Sequence, residues 1–214
     1  MDIKHPKRTY TSTRRQAQAR QTRLQILEAA RKLFFERGYS GATIEAIAIE
    51  AGVAPETVYA IYKNKITILK KLVDVTLVGD DAPVPLLKRP NILSNLQNDD
   101  PKDLLQTFAA DMYEIMTRMS PIFALLRSTA KNDPEIASLQ QKLLTGRLGG
   151  MQIVTERIAS IGPLRSGLSP AKAAATVWAL SSAEVFQLLT VDLGWEKERY
   201  AAWLSDSLIR LLLP

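Results

Sequence analysis

A chain of 214 residues with 46% hydrophobic side chains can fill one large core or two small ones. It has no Cys and one His, His5, which excludes disulfides, thiolate metal sites and most imidazole chemistry. The formal net charge of +6 is unevenly spread: residues 1–71 carry 14 basic and 6 acidic groups, residues 72–214 carry 14 and 16. A basic segment joined to a near-neutral one fits a nucleic-acid binder, and on charge alone an anionic membrane surface is the alternative. No carboxylate cluster has catalytic spacing, so no catalytic residue, metal site or cofactor is expected and the chain is not read as an enzyme.

Met1 to Arg23 is polar and basic, without the apolar run of a signal sequence or N-terminal anchor, so the expected compartment is the cytoplasm and no membrane partner is expected. Residues 1–20 read as a basic flexible tail merging into a helix near Arg15, its Lys4, Lys7, Arg8, Arg14 and Arg15 either solvated or set on DNA. Leu24, Leu27, Ala30, Leu33 and Phe34 recur at helical spacing up to a stop at Gly38. A second helix begins after Thr43, a suitable N-cap, buries Ile44, Ile47 and Ala48, and breaks at Gly52. A third starts at Pro55, with Val58 and Ile61 facing inward until Lys63-Asn64-Lys65, and a fourth covers 66–78.

Gly79 to Pro101 holds Pro83, Pro85, Pro90 and Pro101 and two Asp pairs, the composition of a linker or irregular loop. Helical periodicity then returns over about 102–119, 121–131, 134–161, 170–192 and 196–212, with Ser169 an N-cap before Pro170. No strand alternation occurs. The fold class expected is all-α: a tail (1–20), a three-helix helix-turn-helix DNA-binding domain (21–66, motif 43–62) and a larger helical bundle for ligand binding and dimerisation (67–214).

Two short helices joined by a glycine-bearing turn are the geometry that presents a helix to the DNA major groove. Ile44, Ile47, Ala48, Val53, Val58 and Ile61 can close one small core, which leaves Pro55, Glu56, Tyr59, Ala60 and Tyr62 on the outer face. Thr43-Ile44-Glu45-Ala46-Ile47-Ala48, Ala51-Gly52-Val53, Thr57-Val58-Tyr59 and Lys65 resemble the TetR family signature, as do Ala29-Ala30, Leu33-Phe34 and Gly38-Tyr39 before them. The remaining two thirds resemble that family in architecture, with Gly194-Trp195 to Leu213-Pro214 similar to one of its C-terminal types.

The resemblance implies a homodimer binding double-stranded operator DNA and a small-molecule effector. It sets Thr43 and Lys65 on phosphates, Thr57 and Tyr59 on the DNA backbone, and Ala54, Pro55, Glu56 and Ala60 near base edges. Two positions depart from the pattern. Ala54 replaces a capping residue, at a cost of ~1 kcal/mol, and Ile61-Tyr62 replaces Tyr-Phe, so Tyr62 stands in for the missing phosphate contact. With few long donors on this helix, thymine methyl contacts and DNA shape take a larger share of the readout.

Phe108, Met112, Tyr113, Met116 and Met119, with Phe123 and Trp178, form a stripe that is either plain core or, as the resemblance implies, a ligand pocket. Asp111 and Glu184 interrupt apolar runs, as salt-bridge partners or as selectors of a cationic ligand. Val177, Ser181, Val185 and Leu188, with Trp203, Leu204, Leu208 and Leu211, form broad faces suited to a four-helix dimer seam or to an internal core. The function expected is a transcriptional regulator, a repressor released from a palindromic operator by its effector; the alternative is an architectural DNA-binding protein that senses nothing.

Overall fold

The computed structural model describes residues 10–214, with side chains from Arg14 onward. Lys4, His5, Lys7 and Arg8 lie outside the described residues. Ten α-helices occur among those described: α1 (Tyr10–Gly41), α2 (Ile44–Ala51), α3 (Pro55–Tyr62), α4 (Lys65–Val78), α5 (Pro90–Leu96), α6 (Pro101–Ala130), α7 (Pro134–Ile161), α8 (Pro170–Leu180), α9 (Ala183–Gln187) and α10 (Lys197–Leu212). The chain divides into two compact units, residues 1–72 and 73–214. That division falls later than the expected one after residue 66, because α4 down to Leu72 clusters with the first unit.

In the first unit, Ile26, Ala30, Leu33 and Phe34 of α1 are buried, as are Ile47 and Ala48 of α2, Val58 of α3, and Ile68 and Leu69 of α4. Each such aliphatic side chain, taken fully out of water, contributes roughly 1.5–3 kcal/mol. The helix is described from Tyr10, about five residues before the merging point expected near Arg15, and Arg14 and Arg15 are exposed on it. Gly38 breaks the helical path at φ 70°.

Thr43 caps α2 by accepting a hydrogen bond from the Ala46 amide at 3.1 Å. Gly52 ends α2 in the left-handed region, φ 66°, and its amide donates to the Ile49 carbonyl at 3.1 Å. Lys63, at φ 63°, is the single non-glycine residue with positive φ among those described, and it stops α3 so that Asn64 can begin α4. Asn64 Oδ1 accepts from both the amide (3.0 Å) and the hydroxyl (2.7 Å) of Thr67.

In the second unit, Asp100, Asp133 and Ser169 cap α6, α7 and α8, each followed by a proline at the first helical position. Three sequence expectations fail here. Pro121, expected to separate two helices, lies inside α6, which runs through it. An interior proline costs about 3 kcal/mol, and burial of the adjoining Met119, Ser120, Ile122 and Phe123 offsets it.

The expected 170–192 helix is interrupted: Ser181 ends α8 by donating its hydroxyl to the Val177 carbonyl at 2.7 Å, and Ser182 caps α9, which leads into a π turn at Leu188–Asp192. The Pro170–Asp192 stretch is long and apolar enough by composition to cross a membrane, and 28% of its most apolar 18-residue window is buried. Finally, the loop expected over 79–101 contains a 3-10 turn (Leu86–Lys88) and α5. Arg89 orders it through paired hydrogen bonds to Asp80 at 2.6 and 2.7 Å.

Gly52 has open space where a Cβ would sit, so only its backbone conformation resists a larger residue. Gly52→Ala is expected to lower unfolding free energy by about 1 kcal/mol at unchanged helix content. A urea midpoint equal to that of the parent would show that the left-handed conformation is not required.

Candidate functional site

The first unit presents an open face on α2 and α3. Val58 points inward at 0% exposure, whereas Glu56, Tyr59 and Ala60 are exposed and Pro55 and Thr57 half-buried. Thr43, Glu45 and Ala54 are exposed beside them. Ala54 offers no side-chain cap, as its missing hydroxyl predicts. The Tyr59 hydroxyl donates to Glu45 Oε1 at 3.1 Å and ties the two helices together at the surface. The Glu45 carboxyl is held below its usual range by a backbone N–H and then by Tyr59, and the Tyr59 phenol is raised in return by Glu45.

Two residues expected on this face are placed elsewhere. Tyr62 is 4% exposed and donates its hydroxyl to the Arg23 carbonyl at 3.2 Å. One helical turn beyond Val58 it faces the core, so it cannot stand in for a phosphate-contacting tyrosine. Burial pushes its phenol up to about 12 against the opposing pull of Arg23.

Lys65 is half-buried: Nζ donates to the Tyr39 carbonyl at 2.7 Å and sits 4.3 Å from the centroid of the Tyr39 ring. A lysine at a helix start is unfavourable against the helix dipole. Here the carbonyl and the ring face compensate for it, so the placement needs no phosphate to explain it.

The second unit encloses a cavity of about 370 Å³, within the range of small-molecule sites. Its wall includes Phe108, Met112, Met116, Met119 and Phe123, five of the seven residues of the expected stripe. Tyr113 instead packs against Phe186 and Tyr200, with ring centroids 5.6 and 5.8 Å away. Trp178 lies behind the wall, its carbonyl accepting from Arg147 Nη2 at 2.6 Å.

Sequence reasoning missed the rest of the wall: Leu86, Ile92 and Asn95 from the segment taken for a linker, and Gly146, Arg147, Gly150 and Met151 from α7. The apolar residues among the prolines of 79–101 were the available signal. A Cβ placed on Gly146 or Gly150 would meet nothing within 4 Å, so these two glycines leave part of the volume empty.

The polar groups on this wall are few. Asn95 Nδ2 donates to the Leu104 carbonyl at 3.4 Å, while its Oδ1 is buried without a partner. Asp111 Oδ2 also lacks one, and desolvation raises its carboxyl above the usual range, opposed by a hydrogen bond from Asn91. Desolvation lowers Arg147 to about 10, against the charge of Glu184. Glu184 forms its ion pair with Arg127, and it does not line the cavity.

The expected dimer faces divide by burial. Val177, Ser181, Leu204 and Leu208 are each 0% exposed within one chain and belong to its own core. Ser181 also accepts from Arg147 Nη2 at 2.8 Å. Val185 and Trp203 are half-buried, and Leu211 is 45% exposed. Leu188, Val191 and Leu193 are 57%, 68% and 62% exposed, an uncovered apolar group on the π turn and just beyond it.

Residues 26–72 match the family described as bacterial regulatory proteins, tetR family. The HTH-type transcriptional regulator TtgR of Pseudomonas putida is 38% identical over 61 residues, 28% of this chain and 29% of that protein. The match therefore spans less than a third of that relative's length.

Among solved structures, NalD, the secondary repressor of the MexAB-OprM multidrug efflux pump in Pseudomonas aeruginosa, superposes with a TM-score of 0.69 at 22% identity, covering 92% of this chain and 98% of that one. SmeT of Stenotrophomonas maltophilia, in complex with triclosan, gives a TM-score of 0.65 at 21% identity over 90% of this chain and 92% of that one. At these identities the two likenesses establish a shared fold.

The Tyr62 phenol carries a pH prediction. Its ordinary value is 10.0 and burial raises it to about 12, so above pH 10 the unfolded chain loses this proton first. The stabilisation is complete below pH 10 and is lost as pH rises through about 12. Tyr62→Phe is expected to flatten the fall in urea midpoint across that window and to cost about 1 kcal/mol at neutral pH for the lost hydrogen bond. An alkaline slope identical to the parent's would place the phenol in water.

Proposed function

The chain belongs to the tetR family of bacterial regulatory proteins through its N-terminal domain, and from that premise we propose that it is a ligand-responsive transcriptional repressor. One observation carries this reading: a helix-turn-helix with an open outer face shares a chain with a separate unit holding an apolar cavity of about 370 Å³. The DNA-facing set is Thr43, Ala54, Pro55, Glu56, Thr57, Tyr59 and Ala60. The methyl of Ala60 and the rings of Pro55 and Tyr59 suit contacts with thymine methyls and sugar–phosphate backbone better than a hydrogen-bond code. Lys65 acts chiefly by holding Tyr39, and through it the end of α1.

Operator binding takes a homodimer, whose two motifs meet half-sites about 34–36 Å apart. The exposed Leu188, Val191 and Leu193 and the weakly buried 170–192 stretch support a seam there, a reading that replaces the buried residues first expected to form it. Effector in the cavity favours a conformation with the wrong motif spacing, and release follows from its preference for that state. A nearly complete switch needs roughly 5.5 kcal/mol of such preference. The triclosan complex of SmeT and the repressor role of NalD support the sensing reading over an architectural one, as does the cavity, which mere DNA coating does not require.

Selection of bound duplexes from a random pool tests the DNA reading: a palindrome is expected, whereas salt-sensitive binding without sequence preference would favour the architectural alternative. Tyr59→Ala is expected to weaken binding to the selected palindrome at unchanged melting temperature. A large thermal loss would instead make Tyr59 a core residue. Gly150→Leu projects a side chain into the cavity and removes a helical glycine that costs about 1 kcal/mol relative to Ala. It should raise the melting temperature and retain DNA binding. In a screen of small amphipathic compounds it should lose every ligand-induced thermal shift seen with the parent, and shifts that persist would move the effector site elsewhere.

A further inference from the structure

Among the described residues, Arg147 on the cavity wall has no ion-pair partner. Arg147 projects from α7 onto the wall, and its Nη2 is fixed from behind by the Trp178 carbonyl (2.6 Å) and Ser181 Oγ (2.8 Å). Its guanidinium carbon lies 5.3 Å from the centroid of the Trp178 ring, and Nε is buried with no partner. Among the described residues no carboxylate ion-pairs with it. The nearby acid, Glu184, is engaged by Arg127. Arg147 is half-buried, and a desolvated cation without an ion-pair partner is costly unless something supplies the missing charge.

Asp111 and Lys142 are the other ionisable groups of the wall, and Asp111 forms no ion pair with Arg147 among the described residues. The groups acting on Asp111 are Asn91, Glu114 and Lys197, whereas those acting on Arg147 are Glu184 and Tyr200. A desolvated carboxyl can discharge itself by taking up a proton, and the raised Asp111 moves that way. A guanidinium has no such escape at neutral pH even when lowered to about 10. The charge left without an ion pair on this apolar wall is therefore positive, and Lys142 of α7, an exposed residue, adds a second cation to the lining.

We propose that the ligand of this cavity is an amphipathic carboxylate, its apolar body lying among Phe108, Met112, Met116 and Met119 and its carboxylate accepting hydrogen bonds from Arg147. The assignment rests on the reading of the cavity as the effector site and adds the chemical class. The methionines adapt to more than one apolar shape, so recognition of the headgroup is the selective element. A carboxylate completes the donor set that Trp178 and Ser181 leave unfilled.

The test is calorimetric titration of the full-length protein with three probes that share one chain and differ only in headgroup: decanoate, decanol and decylamine. Decanoate is expected to bind about 10- to 100-fold tighter than decanol, the range of a charge-assisted hydrogen bond to a buried partner. Arg147→Gln should bring decanoate down to the level of decanol and leave decanol unchanged, and Arg147→Lys should keep part of the preference. Decylamine as the tightest probe, equal binding of decanoate and decanol, or a preference that survives Arg147→Gln would each overturn the carboxylate assignment while leaving the cavity a ligand site. Failure of all three probes to bind the parent would remove the effector-site reading with it. If Arg147→Gln does not fold, the ranking of headgroups on the parent protein decides.

Discussion

Burial of one face of α6 is the constraint on which the second unit depends. The side chains from Leu104 to Leu126 that point inward serve two surroundings at once. Leu104, Leu105, Ile122 and Leu126 are sealed in core, while Phe108, Met112, Met116, Met119 and Phe123 border empty volume. The same interaction explains why Pro121 does not break the helix, since the flanking burial outweighs the lost backbone hydrogen bond. It also explains why a cavity persists in an otherwise packed unit: Gly146 and Gly150 of α7 contribute no side chains where α6 would otherwise meet them.

The first unit works under a stricter economy of space. Its motif helices have eight residues each, too short to be stable alone, so their inward residues must all be used for packing. Tyr62 is drawn inside for that reason, and Lys65 is drawn toward Tyr39. What remains outside on α3 is short or aromatic and, apart from Glu56, uncharged. The positive charge of this unit lies elsewhere, including the exposed Arg14 and Arg15 of α1.

The second unit balances the opposite way, tolerating polar atoms without partners around its cavity. Asn95 Oδ1, Asp111 Oδ2 and Arg147 Nε would each be expensive in a closed core. All three residues line the cavity proposed as the ligand site. Of them only Arg147 must stay charged, which makes it the selective element.

Sequence alone determined the helical content, the helix-turn-helix at 43–62 and its turn at Gly52, because these rest on local signals: caps, the left-handed glycine and a 3.6-residue period. It also marked Phe108, Met112, Met116 and Phe123 as one stripe. Tertiary structure decided what periodicity cannot express, namely which neighbour each face meets. An outward aromatic and a buried one, Tyr59 and Tyr62, look alike three residues apart, and Val177, Ser181, Leu204 and Leu208 read equally as seam or core until a partner helix covers them. The 79–101 segment lacked any period yet forms cavity wall, since a short helix and a 3-10 turn are held there by Arg89 and by apolar contact rather than by propensity. Arg147 gave no linear signal at all. Its significance comes from being desolvated beside Trp178 and Ser181, more than 30 positions away in the chain, and only the folded chain creates that environment.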